Sequence, residues 1–126
     1  MGLDMYLEGR TYFFKDWDKM KEGYRVKGEI LDLGYWRKHP NLHGYIVQNF
    51  AEGVDKCQEI NLSEEKMEQL IRAVEERALP KTTGFFFGES DGSERESDLK
   101  TLNAALKWLR KESKRIGREI VYQASW

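Results

Sequence analysis

The chain has 126 residues, 40% hydrophobic and 13% aromatic, with only two prolines, which suits one packed core and excludes a disordered or linker-rich protein. A formal net charge of −1 supplies no global field for nucleic acid or a membrane surface, and no apolar run approaches membrane-spanning length. The single cysteine, Cys57, cannot close an intramolecular disulfide, which fits a reducing, cytoplasmic setting.

The start, Met1-Gly2-Leu3-Asp4, lacks a basic segment and an apolar core, so no signal peptide is expected. Tyr6 stands where myristoylation needs Ser or Thr. Apolar and polar residues alternate over 3–14, which predicts a strand, with Gly9 as a candidate bulge. Residues 15–23 are polar and read as a loop. Residues 24–36, with Val26, Ile30, Leu31, Leu33, Tyr35 and Trp36, predict a second strand antiparallel to the first.

Pro40 suits the first turn of a helix, with His39 as a poor cap. Leu42, Tyr45, Ile46, Asn49 and Phe50 follow at helical spacing, and Gly53 ends the run. Residues 54–62 read as a third strand. Ser63 is a good N-cap, followed by Glu64 and Glu65 where the helix dipole favours acids. Met67, Leu70, Ile71, Val74 and Ala78 form an apolar stripe up to Pro80. Three consecutive Phe in 82–88 predict a doubly buried central strand. Ser93 and Glu96 have capping-box spacing, opening a third helix along Leu99, Leu102, Leu106 and Leu109. A final strand falls at 119–125. The expected fold is a single α+β domain of order ββαβαβαβ. Three helices would pack on a roughly five-stranded, largely antiparallel or mixed sheet.

Residues 33–57 concentrate both histidines, the cysteine, an Arg-Lys pair and several aromatics, yet complete no motif that names a reaction. Arg37 and Lys38, after Tyr35 and Trp36 and just before a helix N-terminus, would suit an anion with an aromatic ring to stack on it. His39 and His43, four apart, with Asp55 and Cys57 beyond, offer zinc-type ligands, but the spacing matches no usual zinc motif and no metal or other cofactor is expected. His43 lies at the edge of the apolar face, which reads as a half-buried core histidine. With Cys57 or Asp55 it would alternatively make a nucleophile–base pair. Residues 63–99 carry 5 basic and 10 acidic groups and 100–126 carry 7 and 2, so the basic run 107–118 reads as a solvated helix face. Trp17, Trp108 and Trp126 fall off the apolar stripes and suggest a partner surface, a dimer interface or a second packed layer.

Three blocks stand together: MGLDMYL at 1–7, GYWRK at 34–38 with His43, and GFFFG at 84–88, joined by GVD at 53–55 and Cys57. In these blocks the chain resembles a family of small proteins of bacteriophage and prophage genomes that has no settled activity. The resemblance covers most of 1–88. It implies Tyr35, Trp36, Arg37, Lys38, His43, Asp55 and Cys57 as shared site positions, while His39 and Pro40 depart from the family pattern. The first expectation is a cytoplasmic, phage-type, non-enzymatic binding protein that engages a host protein or an anionic small molecule through Tyr35–Lys38 and His43. The alternative is a small enzyme acting on a nucleotide or amide, with His43 as general base beside Cys57 or Asp55. A homodimer through Trp108 and the C-terminal strand is compatible with both.

Overall fold

The computed structural model describes residues 2–14, 19–84, 88–111, 113 and 116–126. Two ten-residue strands lie at the centre of an antiparallel sheet. β1 (Asp4–Phe13) pairs with β4 (Gly28–Arg37) on one side and with β6 (Ile116–Ser125) on the other. The short β5 (Ile60–Asn61) extends β6, giving the order β4-β1-β6-β5. A separate hairpin of β2 (Met20–Lys21) and β3 (Tyr24–Arg25) joins β1 to β4. The helices are α1 (Pro40–Phe50), α2 (Glu64–Glu75) and α3 (Arg95–Leu109).

Alternation along β1 decides the layers. Met5, Leu7, Thr11 and Phe13 are buried, while Tyr6 and Tyr12 on the other face are exposed. The buried face joins Ile120, Tyr122 and Ala124 of β6 and packs against apolar stripes of the three helices: Leu42 and Ile46, Met67, Leu70 and Val74, Leu102 and Leu106. The result is a two-layer α+β domain. Among the described residues, no helix is long and apolar enough to cross a membrane.

Several sequence expectations need correction, first the roughly five-stranded sheet and the order ββαβαβαβ: among the described residues the main sheet has four strands, with a separate two-stranded hairpin, in the order ββββαβααβ. The β1–β4 register steps from Leu7↔Gly34 to Glu8↔Asp32, so the extra residue of the bulge is Leu33 on β4 rather than Gly9. That step changes the phase of β4, and it puts both Leu33 and Trp36 against the core while Ile30 and Tyr35 remain exposed. Gly9 has a different use: a Cβ there would lie 2.7 Å from the Trp108 ring. Trp108 is half-buried and packs against the core. Residues 24–36 divide between the hairpin and β4. The strand expected over 54–62 shrinks to Ile60–Asn61.

Residues 82–84 and 88 are not strand, so the central place in the sheet belongs to β1 and β6; Phe85, Phe86 and Phe87 lie outside the described residues. Trp17 does as well. α2 ends at Glu75, one turn before Pro80. Ser63 caps it as expected, accepting from the Lys66 N–H at 3.2 Å. Ser93 does not cap α3. Its N–H is held by Asp91 at 2.9 Å, and Glu94 occupies the cap position.

Candidate functional site

The start of α1 has a structural problem that other elements solve. Pro40 contributes no N–H, and the His39 side chain makes no capping bond to its own helix. The Asn41 N–H instead donates to Ser90 Oγ at 3.3 Å, a hydroxyl brought in from the loop before α3. His39 is turned toward the same loop. Its Nδ1 lies 2.7 Å from Ser90 Oγ, and its Nε2 lies 2.6 Å from Asp98 Oδ2. The other Asp98 oxygen accepts the Trp36 indole N–H at 2.8 Å. His39 is 3% and Asp98 1% exposed.

The polar partners assign a tautomer to the neutral ring. A carboxylate accepts, which assigns a hydrogen to His39 Nε2 opposite Asp98 Oδ2. Ser90 Oγ accepts from the Asn41 N–H and keeps its own O–H, for which His39 Nδ1, 2.7 Å away, is an acceptor when the ring is neutral. The chain runs Ser90 O–H, His39, Asp98, Trp36, and ties the N-termini of α1 and α3 to the end of β4.

This cluster forms one wall of a cavity of about 470 Å³. Val74 and Leu79 give the cavity an apolar side, Arg77, Lys81 and Arg95 a cationic one, and Asp91 and Glu94 an acidic one. The Arg95 guanidinium is held by the Glu75 carbonyl at 2.9 Å. The Ser93 hydroxyl and N–H hold the Asp91 carboxyl below its usual range, so it is ionised at neutral pH. Thr82 N–H donates to Asn41 Oδ1 at 3.0 Å, fixing the wall between Leu79 and α1.

His43, one turn along α1, makes a second relay deeper inside. Its Nδ1 lies 2.6 Å from the Tyr122 hydroxyl, and its Nε2 lies 3.0 Å from Asp55 Oδ2. Since Asp55 accepts, Nε2 carries hydrogen and Tyr122 donates to Nδ1. His43 is 2% exposed, Tyr122 1%, and the Trp126 ring stands edge-on at 5.7 Å. Burial, and then the Asp55 charge, pushes the Tyr122 phenol well above its usual range. This relay joins α1 to β6 and to the 54–59 segment through the core.

The seven residues expected to share a site are therefore dispersed. His43 and Asp55 meet. Trp36 turns inward to Asp98, while its neighbour Tyr35 is exposed on the opposite sheet face and donates its hydroxyl to Asp4. That bond holds the Tyr35 phenol above its usual range. Arg37 and Lys38 are exposed, and Lys38 has a left-handed backbone, φ 54°, at the turn into α1. Cys57 is half-buried, and its carbonyl accepts from Gln123 at 2.9 Å. His39 and His43 hold different carboxylates, so they do not form a shared ligand pair. Among the described residues, no group of three or more His, Cys, Asp or Glu is placed to hold a metal.

Sequence reasoning missed Ser90, Asn41, Asp98 and Tyr122. Asp98 alone carried a signal: it is an acid in helical phase with buried Leu102 and Ala105.

Compared with known proteins, the sequence matches no protein-family model, and no curated protein or solved structure matches it.

Proposed function

We propose that this chain is a ligand-binding protein, of the phage accessory kind its sequence resembles, and that it takes a small polar molecule with an anionic group. The observation that carries this is the cavity of about 470 Å³ beside His39 and Ser90, within the usual size range for small-molecule sites. Arg77, Lys81 and Arg95 would answer the anionic group. Asp91 and Glu94 would answer a cationic group or N–H donors. One carboxylate oxygen of Glu94 is buried with no hydrogen-bond partner, an acceptor that such a donor would satisfy. The charge pattern favours a zwitterion or an anionic amide over a bare polyanion. The site lies on the opposite side of Trp36 from the exposed Tyr35 ring, so ring stacking on Tyr35 plays no part.

Native mass spectrometry of the chain purified without added ligand tests this, followed by thermal melts against amino acids, acyl amides and nucleotides. A true ligand at about one hundred times its Kd adds about 2.7 kcal/mol, which a melt resolves easily. That gain should disappear in Arg95→Ala. If no mass is retained and no compound raises the melting temperature, the pocket reading fails, and a host protein becomes the partner to seek.

A further inference from the structure

We propose that Ser90, His39 and Asp98 form a nucleophile, base and orienting carboxylate, and that they hydrolyse a small carboxylic ester held in the cavity. The inference rests on the pocket reading for its substrate and goes beyond it in assigning chemistry.

A serine hydroxyl is a weak nucleophile until a base within hydrogen-bond reach takes its proton, and the base works best when a third group orients it. Ser90 Oγ is 2.7 Å from His39 Nδ1, and Asp98 Oδ2 is 2.6 Å from His39 Nε2. Such relays are recognised by roles and geometry, not by chain order. Here the two ring nitrogens exchange their more familiar partners. Both are conjugated in one ring, so a proton taken at Nδ1 still leaves its charge facing Asp98 through Nε2–H.

Helix capping explains only part of this arrangement. A cap needs the Ser90 oxygen as acceptor for Asn41 N–H. It does not need a histidine ring nitrogen 2.7 Å from that hydroxyl, nor a buried carboxylate behind that histidine. It also does not need the hydroxyl to line a cavity, which Ser90 does.

Ser90 Oγ attacks the ester carbonyl carbon, and its proton passes to His39 Nδ1. The carbonyl becomes an oxyanion beside the Asn41 N–H, which points at Oγ from the first turn of α1. The ester C–O bond then breaks, and the departing alkoxide takes the proton from Nδ1. Water attacks the acyl-serine, giving one proton to Nδ1. Release of the carboxylic acid returns that proton to Oγ. Val74 and Leu79 would receive a short acyl chain, with Arg77, Lys81 and Arg95 on an anionic portion of the substrate. Asp98 is a positioning residue that acts through His39.

The test treats the full chain with a fluorophosphonate, whose phosphorus loses fluoride as a serine Oγ bonds to it, and reads intact mass with peptide mapping. One adduct per chain at Ser90 is expected. Its rate should rise with pH through a single step in the wild type, and His39→Gln should remove the step. Asp98→Asn keeps an acceptor for Trp36 but presents an N–H to His39, reversing the tautomer. Labelling should fall roughly 10²–10⁴-fold in either variant. The pH profile of the unaltered chain stands even if a variant fails to fold. No adduct at Ser90, or labelling in both variants at the wild-type rate, overturns the proposal. A ligand retained without labelling refutes the nucleophile and spares the binding reading. Labelling with no ligand from the panel does the reverse.

Discussion

Replacing Asp98 with Ala tests whether the polar cluster organises the domain. The carboxylate is 1% exposed and receives Trp36 N–H at 2.8 Å and His39 at 2.6 Å. Each hydrogen bond to a charged group is worth about 1.5–3 kcal/mol, and leaving a buried donor unsatisfied costs about 1–3 kcal/mol. Ala leaves both donors without an acceptor, so a loss of about 3–5 kcal/mol for the two together is expected. Against a usual total of about 5–15 kcal/mol, that is a large share, and it corresponds to a melting temperature lower by roughly 10–20 °C. Asn should cost only about 1–2 kcal/mol, because Oδ1 still accepts from Trp36 and the amide can serve a reversed His39. Urea unfolding followed by tryptophan fluorescence measures both, with an unchanged m-value showing that stability alone has moved. An Ala variant within about 1 kcal/mol of wild type, or an Asn variant as costly as Ala, refutes the network as drawn.

Tyr122→Phe removes the donor to His43 Nδ1 and should cost about 1–2 kcal/mol near neutral pH, read from the urea midpoint. The same variant tests the alkaline limb. The folded phenol holds its proton above the usual value, so its stabilisation is complete below about pH 10 and is lost as pH rises beyond it. Stability of the wild type should fall along that limb more steeply than that of the Phe variant; parallel curves would contradict the buried relay. Gly44→Ala would place a Cβ 1.9 Å from Thr82 Oγ1 and 2.8 Å from Thr82 Cβ, so the segment after Leu79 must move. Overpacking of about 1–3 kcal/mol should exceed the helix gain of about 1 kcal/mol, and a double-mutant cycle with Thr82→Gly should recover the difference. Ser63→Ala should lower stability by about 1 kcal/mol in the same assay, with no change in ligand binding.

The amphipathic stretches were legible because one period dominates each. β1 alternates cleanly, α2 carries a stripe at helical spacing behind a capping serine, and the apolar faces are those that pack. The failures have local causes. β4 has no single alternation, since Leu33 is an inserted residue and the faces exchange there. Residues 54–59 hold few apolar side chains, and their bonds go to side chains such as Gln58 and Gln123 instead of a strand ladder. At the start of α3, the Asx-type bond from Ser93 to Asp91 competes with the capping box that its spacing suggests. The candidate site was the least legible part. His39 to Ser90 spans 51 positions and His39 to Asp98 spans 59, separations at which sequence pattern gives no distance.

The two histidines differ in what their hydroxyl partners can reach, and the proposed chemistry rests on that difference. His39 precedes α1 at its N-cap and His43 lies four residues on, inside the helix; each sits between a hydroxyl and a carboxylate, and each is nearly inaccessible. Their hydroxyl partners differ in consequence. Tyr122 belongs to β6 and is packed into the core, so the His43 relay ends in a ring that no reactant can approach. A phenol held there in its neutral form contributes a buried hydrogen bond and a link between layers. Ser90 belongs to a loop and lines the cavity, so the His39 relay ends in an oxygen that a bound molecule can reach. Had the reactive base been His43, with Asp55 beside it, the substrate would have to displace Tyr122 from the core. With His39 it needs only to enter the space between Val74, Leu79 and Arg95. Accessibility of the terminal hydroxyl, and not the histidine itself, is therefore the reason the proposed chemistry is assigned to the α1 N-terminus.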